Sequence, residues 1–330
     1  MSCDNYDTIE VIFKKLLLKQ VRVLKKKIAY ISAITLIGGF LFFNKSNPVV
    51  EKEVPISVES STTKIENRDT ASQDKFKIDR DTHNAIGKNN RIKYIILHYT
   101  VIDDEASIRV LTTRNVSAHY LVTTKDNDDI LSLVPDDERA WHAGASSFAG
   151  KENLNDTSIG IEIVNPGLIT KREKISTTFP QKEHYAPYTE IQIEKIAFLL
   201  TELAKKYDIS PQHIIGHSDI APGRKPDPGP QFPWKRLHEE YNIGAWYDQA
   251  DYDYYSSNKS FYFEQSISDI KKEFVKYGYT IKDMSNQWDN DTKQVIQAFQ
   301  SHFRPEEITG KMDIATFAIL KSLNKKYHSA

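Results

Sequence analysis

Three metal-binding side chains stand at points of the sequence where a shared site could form. His98 directly follows a short apolar run, and His217 ends a run that begins with Ile214 and Ile215. Asp227 lies between two prolines, in a Pro- and Gly-rich stretch with little backbone freedom. A catalytic zinc ion takes three nitrogen or oxygen ligands from the protein and leaves a fourth position for water. We therefore predict that these three residues bind one zinc ion per chain, although the stretch taken alone also fits a polar surface turn.

A further carboxylate and a lysine could supply the acid–base and electrostatic parts of a hydrolysis. Glu162 lies in an isoleucine-rich segment, on the face opposite the isoleucines, where it is either buried at a cost or faces a cleft. Beside a metal-bound water, Glu162 would act as general base. Lys225 stands close to Asp227 and is placed to stabilise the oxyanion of a tetrahedral intermediate. Asp219 is too near His217 in the chain to share its metal easily, and we predict that it caps the loop.

The other histidines have simpler interpretations. His119 begins a predicted strand, and we expect it in the core or behind the ligands. His142 follows Trp141 at a turn of small residues, where it could contact substrate or pack. Histidines beside charged or polar residues are expected to be solvated, namely His184, His213, His238, His302 and His328.

The elements around these residues are predicted to form a mixed sheet with helices on its sides. Short apolar or alternating segments predict strands at 94–97, 119–124, 130–134 and 158–165, of which the second and third form a hairpin. Helices are predicted at 106–116 and 188–207, the latter because its apolar residues recur at spacings of 3 and 4. The mixture indicates an α+β domain over residues 86–248, with a mixed central β-sheet flanked by helices.

Two segments follow this domain. Residues 249–260 are rich in Tyr, Asp and Ser and are predicted to be a linker. Residues 261–328 contain three apolar patterns at helical spacing, and Asp313 is placed to cap the last of them. They predict a small C-terminal domain of three helices.

The N-terminal part of the chain has the composition of a membrane anchor followed by a tether. Residues 1–27 are rich in lysine, and residues 28–43 contain no charged side chain. That apolar length falls between a signal-peptide core and the ~20 residues of a spanning helix. We predict a basic cytoplasmic segment, then a hydrophobic anchor helix at 28–43, with a cleaved signal peptide as the alternative. The polar residues 44–85 are predicted to be a disordered tether.

The composition of the whole chain excludes several kinds of protein. The 330 residues carry a formal net charge of −1, so no global positive field favours nucleic acid. Cys3 is the only cysteine, which excludes a disulfide framework and a cysteine-rich metal site. We expect the chain to be a monomer.

Five motifs, in this order along the chain, resemble the zinc-dependent N-acetylmuramoyl-L-alanine amidases of the AmiD type, whose fold is shared with the peptidoglycan recognition proteins. They are His98-Tyr-Thr, Ser117-Ala-His-Tyr-Leu-Val, Ala140-Trp-His-Ala-Gly, Asn155-Asp-Thr-Ser-Ile-Gly-Ile-Glu and the stretch from His217 to Pro230. Residues 261–328, with Gln297-Ala-Phe-Gln and Thr309-Gly-Lys-Met-Asp, resemble a peptidoglycan-binding domain of three helices.

The resemblance implies roles for the same residues. His98, His217 and Asp227 match zinc ligands, Glu162 matches the catalytic glutamate, and Lys225 matches a lysine that helps to stabilise the transition state. It implies hydrolysis of the amide bond between N-acetylmuramic acid and L-alanine in peptidoglycan or muropeptides, during cell-wall turnover. His119 is not a ligand in that pattern, and His142 is retained as a substrate contact.

The resemblance and the N-terminus together indicate where the protein works. A protein that acts on peptidoglycan belongs in the bacterial cell envelope, and the apolar run 28–43 predicts a periplasmic domain anchored in the inner membrane, or one secreted after signal cleavage. The lipid-attachment cysteine of the AmiD pattern is absent, which speaks against an outer-membrane lipoprotein.

Two other functions remain open from the residues alone. Proteins of this fold that only bind the cell wall give a non-catalytic alternative. A zinc peptidase or deacetylase acting on the same polymer would need the same kind of ligand set.

Overall fold

The computed structural model describes residues 79, 81–83, 85–127 and 129–328. All the elements below lie within residues 83–330, which form one compact unit. The predicted basic segment 1–27 and anchor helix 28–43 lie outside the described residues, as does nearly all of the predicted tether. Within the described part of the chain, no helix is both long enough and apolar enough to cross a membrane.

A five-stranded mixed sheet forms the centre of the first part of this unit. Its strands are β1 (Tyr94–Tyr99), β2 (Tyr120–Val122), β3 (Leu131–Ser132), β6 (Ser158–Ile163) and β7 (Ile214–Gly216). Their order in the sheet is β3-β2-β6-β1-β7. Strands β2, β6, β1 and β7 are parallel, and β3 pairs antiparallel with β2 at one edge. A separate hairpin pairs β4 (Ser147–Phe148) with β5 (Lys151–Glu152). The predicted mixed sheet is confirmed.

The two central strands explain the apolar runs in the sequence. β1 and β6 are covered on both faces, so Ile95, Ile96, Ile159 and Ile161 are all buried. The two strands pair in parallel register, which sets His98 opposite Glu162 at their carboxyl ends. The strand ends therefore bring these two functional side chains to one edge of the sheet.

Two helices flank the sheet, and their ends follow from local hydrogen bonds. In α2 (Glu190–Tyr207), Thr189 caps the N-terminus in a capping box with Gln192. The helix predicted at 106–116 is shorter and earlier, forming α1 (Asp104–Leu111). It ends because the Thr112 and Thr113 hydroxyls donate to carbonyls of the preceding turn, a local alternative to helix continuation.

The chain continues through seven further helices, and the last three form the C-terminal helical part that the sequence predicts. They are α3 (His217–Ile220), α4 (Trp234–Tyr241), α5 (Gln249–Ser257), α6 (Ser260–Phe263), α7 (Ile267–Tyr277), α8 (Asn290–Phe303) and α9 (Ile314–His328). Short 3-10 helices lie at Leu154–Asp156, Arg172–Lys174, Lys182–His184 and Pro211–His213.

Most of the predicted linker 249–260 is helical. α5 packs along α9. Asp251 is ion-paired with Lys325, and the preceding residue Asp248 is ion-paired with Lys326 at 2.7 Å. The polar composition of this segment therefore reflects an exposed helix face held by contacts with the last helix.

One hydrophobic core runs from the sheet into the C-terminal helices. Phe148 of the β4–β5 hairpin lies edge-on to Tyr277 and Tyr279, with ring centroids 6.4 and 5.6 Å apart. The Ala149 amide donates to the Gly278 carbonyl at 2.7 Å. The boundaries 86–248 and 261–328 remain a prediction, and the two segments share a continuous core.

Candidate metal centre and active site

Three ligand atoms converge at the carboxyl edge of the sheet. His98 is near the end of β1, and His217 directly follows the neighbouring parallel strand β7. Nδ1 of His98 lies 2.9 Å from Nδ1 of His217 and 3.0 Å from Oδ2 of Asp227. Nδ1 of His217 lies 2.9 Å from the same Oδ2 atom. All three side chains are buried. Within the described residues, these form the group whose ligand atoms are close enough to hold one metal ion.

The outer nitrogen of His217 fixes the tautomer of its ring. Nε2 of His217 lies 3.0 Å from the carbonyl oxygen of Ala143, which only accepts hydrogen bonds. The Arg224 guanidinium, 3.3 Å from Nε2, donates to the same carbonyl at 2.7 Å and leaves Nε2 to donate there as well. We therefore assign the proton to Nε2. In the neutral ring, Nδ1 is left unprotonated and faces the other two ligand atoms.

His142 fixes the ring of His98 in the same way. Ser158 donates its hydroxyl proton to the Leu154 carbonyl at 2.6 Å, so its oxygen can accept from Nε2 of His142, 3.3 Å away. Nδ1 of His142 then accepts from Nε2 of His98 at 3.0 Å. Burial, with the neighbouring His217, lowers the pKa of His98 to about 4, so the ring is neutral and its Nδ1 carries a lone pair.

The two assigned tautomers leave the site suited to a metal ion. Two imidazole lone pairs and a carboxylate oxygen face one another at hydrogen-bond distance, and no proton remains between the two rings. Such a cluster is repulsive unless a cation lies among its members. Two neutral imidazoles and one carboxylate are a common donor set for catalytic zinc.

Glu162 lies beside this cluster with an unused oxygen. Its Oε2 atom is buried and has no hydrogen-bond partner among the described residues. Burial raises the pKa of Glu162 to about 8; the Asp227 carboxylate adds to the shift and the Lys225 ammonium opposes it. A bound cation would act in the same direction as Lys225 and lower this pKa. Glu162 is therefore a carboxylate poised between its two protonation states.

Lys225 lies on the rim of the same cleft. The cleft has a volume of about 340 Å³, and its lining includes all three ligand residues, Glu162 and Lys225. The Lys225 side chain is exposed, and no described residue forms a hydrogen bond or ion pair with its ammonium group. A lysine held at a cleft without a protein partner is able to meet negative charge on a ligand.

One part of the cleft wall is apolar, which no pattern in the sequence predicts. Val101, Val110 and Val116 are each about half exposed there, beside Trp141. Val101 has φ 57°, a left-handed conformation that is rare for a β-branched residue. Strain of this kind concentrates at ligand-binding sites. No local pattern predicts this apolar lining, because single exposed valines in α1 and the adjoining loops resemble ordinary surface residues.

The remaining predicted residues lie around the cluster in different ways. His119 is buried, and its Nδ1 accepts from the Gly160 amide at 3.0 Å, as expected for a core residue. His142 lines the cleft, but both ring nitrogens have protein partners, so only its ring surface is left for substrate. Asp219 accepts from the Gly216 amide at 2.8 Å, which is the predicted cap. The expectation that His302 is solvated is wrong, because it is buried against Asp219.

Comparison with known proteins identifies two family segments in the chain. Residues 88–230 match the family described as N-acetylmuramoyl-L-alanine amidase, and residues 264–320 match a peptidoglycan binding domain. The chain is similar to the N-acetylmuramoyl-L-alanine amidase AmiD of Escherichia coli (strain K12), with 38% identity over 243 residues. That alignment covers 72% of this chain and 84% of AmiD.

Two solved structures are similar over most of this chain. AmpDH3 from Pseudomonas aeruginosa, in complex with anhydromuramic pentapeptide, matches with a TM-score of 0.68 and 38% identity, over 76% of this chain and 98% of that one. The AmiD complex from E. coli, with the substrate anhydro-N-acetylmuramic acid-L-Ala-D-γ-Glu-L-Lys, matches with a TM-score of 0.65 and 36% identity, over 74% of this chain and 93% of that one. The fold, the cleft with its ligand cluster and these similarities agree, and the chain belongs to the N-acetylmuramoyl-L-alanine amidase family.

Proposed function

We propose that the chain is a zinc-dependent amidase in which His98, His217 and Asp227 bind one zinc ion, Glu162 is the general base and Lys225 stabilises the oxyanion. The observation that carries the proposal is the set of three ligand atoms, about 3 Å apart, in the lining of one cleft. A zinc ion bound there would lower the pKa of a water molecule and polarise the scissile carbonyl. One chain supplies every ligand, which fits a monomer.

Glu162 lines the cleft beside the ligand residues and has a carboxylate oxygen without a hydrogen-bond partner, as a general base needs. Its unpartnered Oε2 atom would accept a proton from the attacking water, because no protein group competes for that oxygen. After attack, the protonated carboxyl would return the proton to the leaving amine of L-alanine. A raised pKa of Glu162 favours the first of these steps, since it makes the carboxylate a stronger base toward the water proton.

Lys225 would act on the other side of the reacting carbonyl. As the water attacks, negative charge develops on the carbonyl oxygen, and a nearby ammonium group stabilises that charge more than it stabilises the ground state. The exposed Lys225 side chain lines the cleft and reaches no other described group by hydrogen bond.

The substrate class follows from the family and the two complexes. AmpDH3 and AmiD were each solved with an anhydromuramyl peptide. We propose that a muramyl peptide lies in the cleft with its lactyl–alanine amide at the metal, and that the apolar wall of Val101 and Val116 contacts its uncharged parts. The segment 264–320 would bind the polymer and raise the local concentration of bonds to cut.

The complete ligand set also bears on the two alternatives. A protein that only binds the cell wall has no need for a buried, unpartnered Oε2 atom of Glu162 or for a full donor set, so both features favour catalysis. A peptidase or deacetylase would share the same metal chemistry, and only the identity of the cleaved bond separates it from an amidase.

Mass spectrometry of digested peptidoglycan tests the proposal. Purified protein is incubated with sacculi and with soluble muropeptides, with and without a chelator. We expect free stem peptides that begin with L-alanine, together with glycan that has lost them, and we expect chelation to abolish both and added zinc to restore them. Products that keep the lactyl–alanine bond would contradict the amidase assignment, and digestion that persists in chelator would contradict the metal.

We also propose that the protein works in the cell envelope, where its polymer is found. The uncharged run 28–43 after a lysine-rich segment supports anchoring in the inner membrane, with secretion after cleavage as the alternative. Extraction of membranes at alkaline pH distinguishes them, because an anchored protein stays in the pellet and a cleaved one does not.

A further inference from the structure

A buried hydrogen-bond cluster connects the metal-ligand segment to the C-terminal helices. Asp219 of α3 is only 1% exposed. Its Oδ1 accepts from the Tyr279 hydroxyl at 2.6 Å, and its Oδ2 lies 2.8 Å from Nδ1 of His302. Tyr279 follows α7 and His302 belongs to α8, so both partners come from the C-terminal helical part. A buried carboxylate requires such donors, since an unpaired one is costly.

Asp219 is also tied to the backbone around His217. Its Oδ2 accepts from the amide of Gly216, the residue immediately before His217, at 2.8 Å. On the other side of His217, the amide of Ser218 donates to the carbonyl of Asp227 at 2.8 Å. The two residues that flank His217 are therefore held by Asp219 and by the Asp227 backbone. The position of the His217 ring relative to Asp227 depends on this short segment.

The two C-terminal partners are themselves firmly held. The His302 ring is stacked on Trp234 of α4, with centroids 3.9 Å apart and planes 17° from parallel. Tyr279 lies among buried aromatic rings, with centroids 5.6 Å from Phe148 and 6.1 Å from Tyr277. Neither donor can leave Asp219 without disturbing the core, so both hold α3 at a fixed place.

We propose that Tyr279 and His302 are positioning residues for the metal centre: acting through Asp219, they hold the backbone of His217 so that its Nδ1 faces the metal. The C-terminal helices then take part in building the active site as well as in binding the polymer. This inference rests on the metal centre of the proposed function.

The test compares two buried tyrosines that lie next to each other. Tyr279→Phe removes the hydroxyl that donates to Asp219, whereas Tyr277→Phe removes a buried hydroxyl that has no partner among the described residues. Both rings are about 1% exposed, so the packing changes are alike. The readouts are the zinc dissociation constant, the absorption spectrum of the cobalt-loaded protein, and the thermal midpoint of the metal-free protein.

We expect Tyr279→Phe to weaken zinc binding about tenfold, the lower end of the effect of residues behind metal ligands, and to alter the cobalt spectrum. Tyr277→Phe is expected to leave both unchanged. If Tyr279→Phe lowers only the thermal midpoint and binds zinc as the wild type does, its role is merely structural and the inference is wrong. If the wild type itself binds no zinc, the proposed function fails and this inference falls with it.

A second pair of variants keeps the test decisive if Tyr279→Phe does not fold. His302→Phe preserves an aromatic ring for stacking on Trp234 but removes the donor to Asp219, and His302→Gln retains a donor. We expect the phenylalanine variant to bind zinc about tenfold more weakly and the glutamine variant to recover part of that loss. Equal zinc affinities for wild type and His302→Phe would overturn the inference.

Discussion

Each ring nitrogen of His98 has a different partner, and His142 determines which nitrogen faces the metal site. His98 Nε2 lies 3.0 Å from His142, while His98 Nδ1 points to His217 and Asp227. His142 packs so closely on β6 that a side chain at Gly160 would come within 2.3 Å of its ring. The absence of a side chain at Gly160 therefore provides the space that the His142 ring occupies next to His98.

Removing His142 should therefore weaken the metal centre without altering any ligand. In His142→Ala, the Nε2 proton of His98 loses its acceptor and the ring is free to rotate or change tautomer, so we expect zinc binding to fall about 10- to 100-fold. His142→Asn, whose side-chain oxygen can accept near the former Nδ1 position, should lose less. Calorimetric zinc titration measures both, and wild-type affinity in His142→Ala would show that this contact is dispensable.

The parallel strands place the functional side chains at one edge of the sheet. β1, β6 and β7 run side by side, so their carboxyl ends deliver His98, Glu162 and the segment that begins at His217 to one edge. Among the described residues, the ligand cluster and the cleft both lie at this edge. The stiff loop after α3 then returns Asp227 to the same place.

β1 and β6 were predictable because their patterns are local. The apolar run before His98 predicts a buried strand that ends at this histidine, and the spacing of the isoleucines in β6 predicts a strand with Glu162 on the opposite face. α5 was missed because Tyr, Asp and Ser show no apolar period; contacts with α9 hold it as a helix. The burial of His302 depends on Asp219, which is distant in sequence, so no local pattern could reveal it.

At the scale of the whole molecule, the catalytic sheet and the C-terminal helices share their core. Besides the Phe148 contacts, the Gln181 side chain bridges to Ile308, accepting from its amide at 2.9 Å and donating to its carbonyl at 2.7 Å. An interface with buried aromatic rings and direct hydrogen bonds resembles a domain interior more than a contact between independent modules.

This continuity predicts one cooperative unfolding transition for the sheet and the helices together. Differential scanning calorimetry of the metal-free protein should show a single peak whose calorimetric and van't Hoff enthalpies agree. Phe148→Ala should lower the stability of the whole unit by about 3–5 kcal/mol, because a buried ring is lost at the junction. Phe198→Ala, at a side chain that is 64% exposed, should change it by less than about 0.5 kcal/mol. Two separate peaks, only one of them moved by Phe148→Ala, would contradict a shared core.

The most direct measurement is the zinc content and turnover of Glu162→Gln, beside the wild type and His217→Ala. The wild type should hold one zinc ion and release stem peptide. Glu162→Gln keeps the shape of the side chain but cannot take the proton, so it should hold one zinc ion and lose turnover by about 10²- to 10⁴-fold. His217→Ala should lose both. A Glu162→Gln protein that cleaves muropeptides at a rate near that of the wild type would contradict the proposed base.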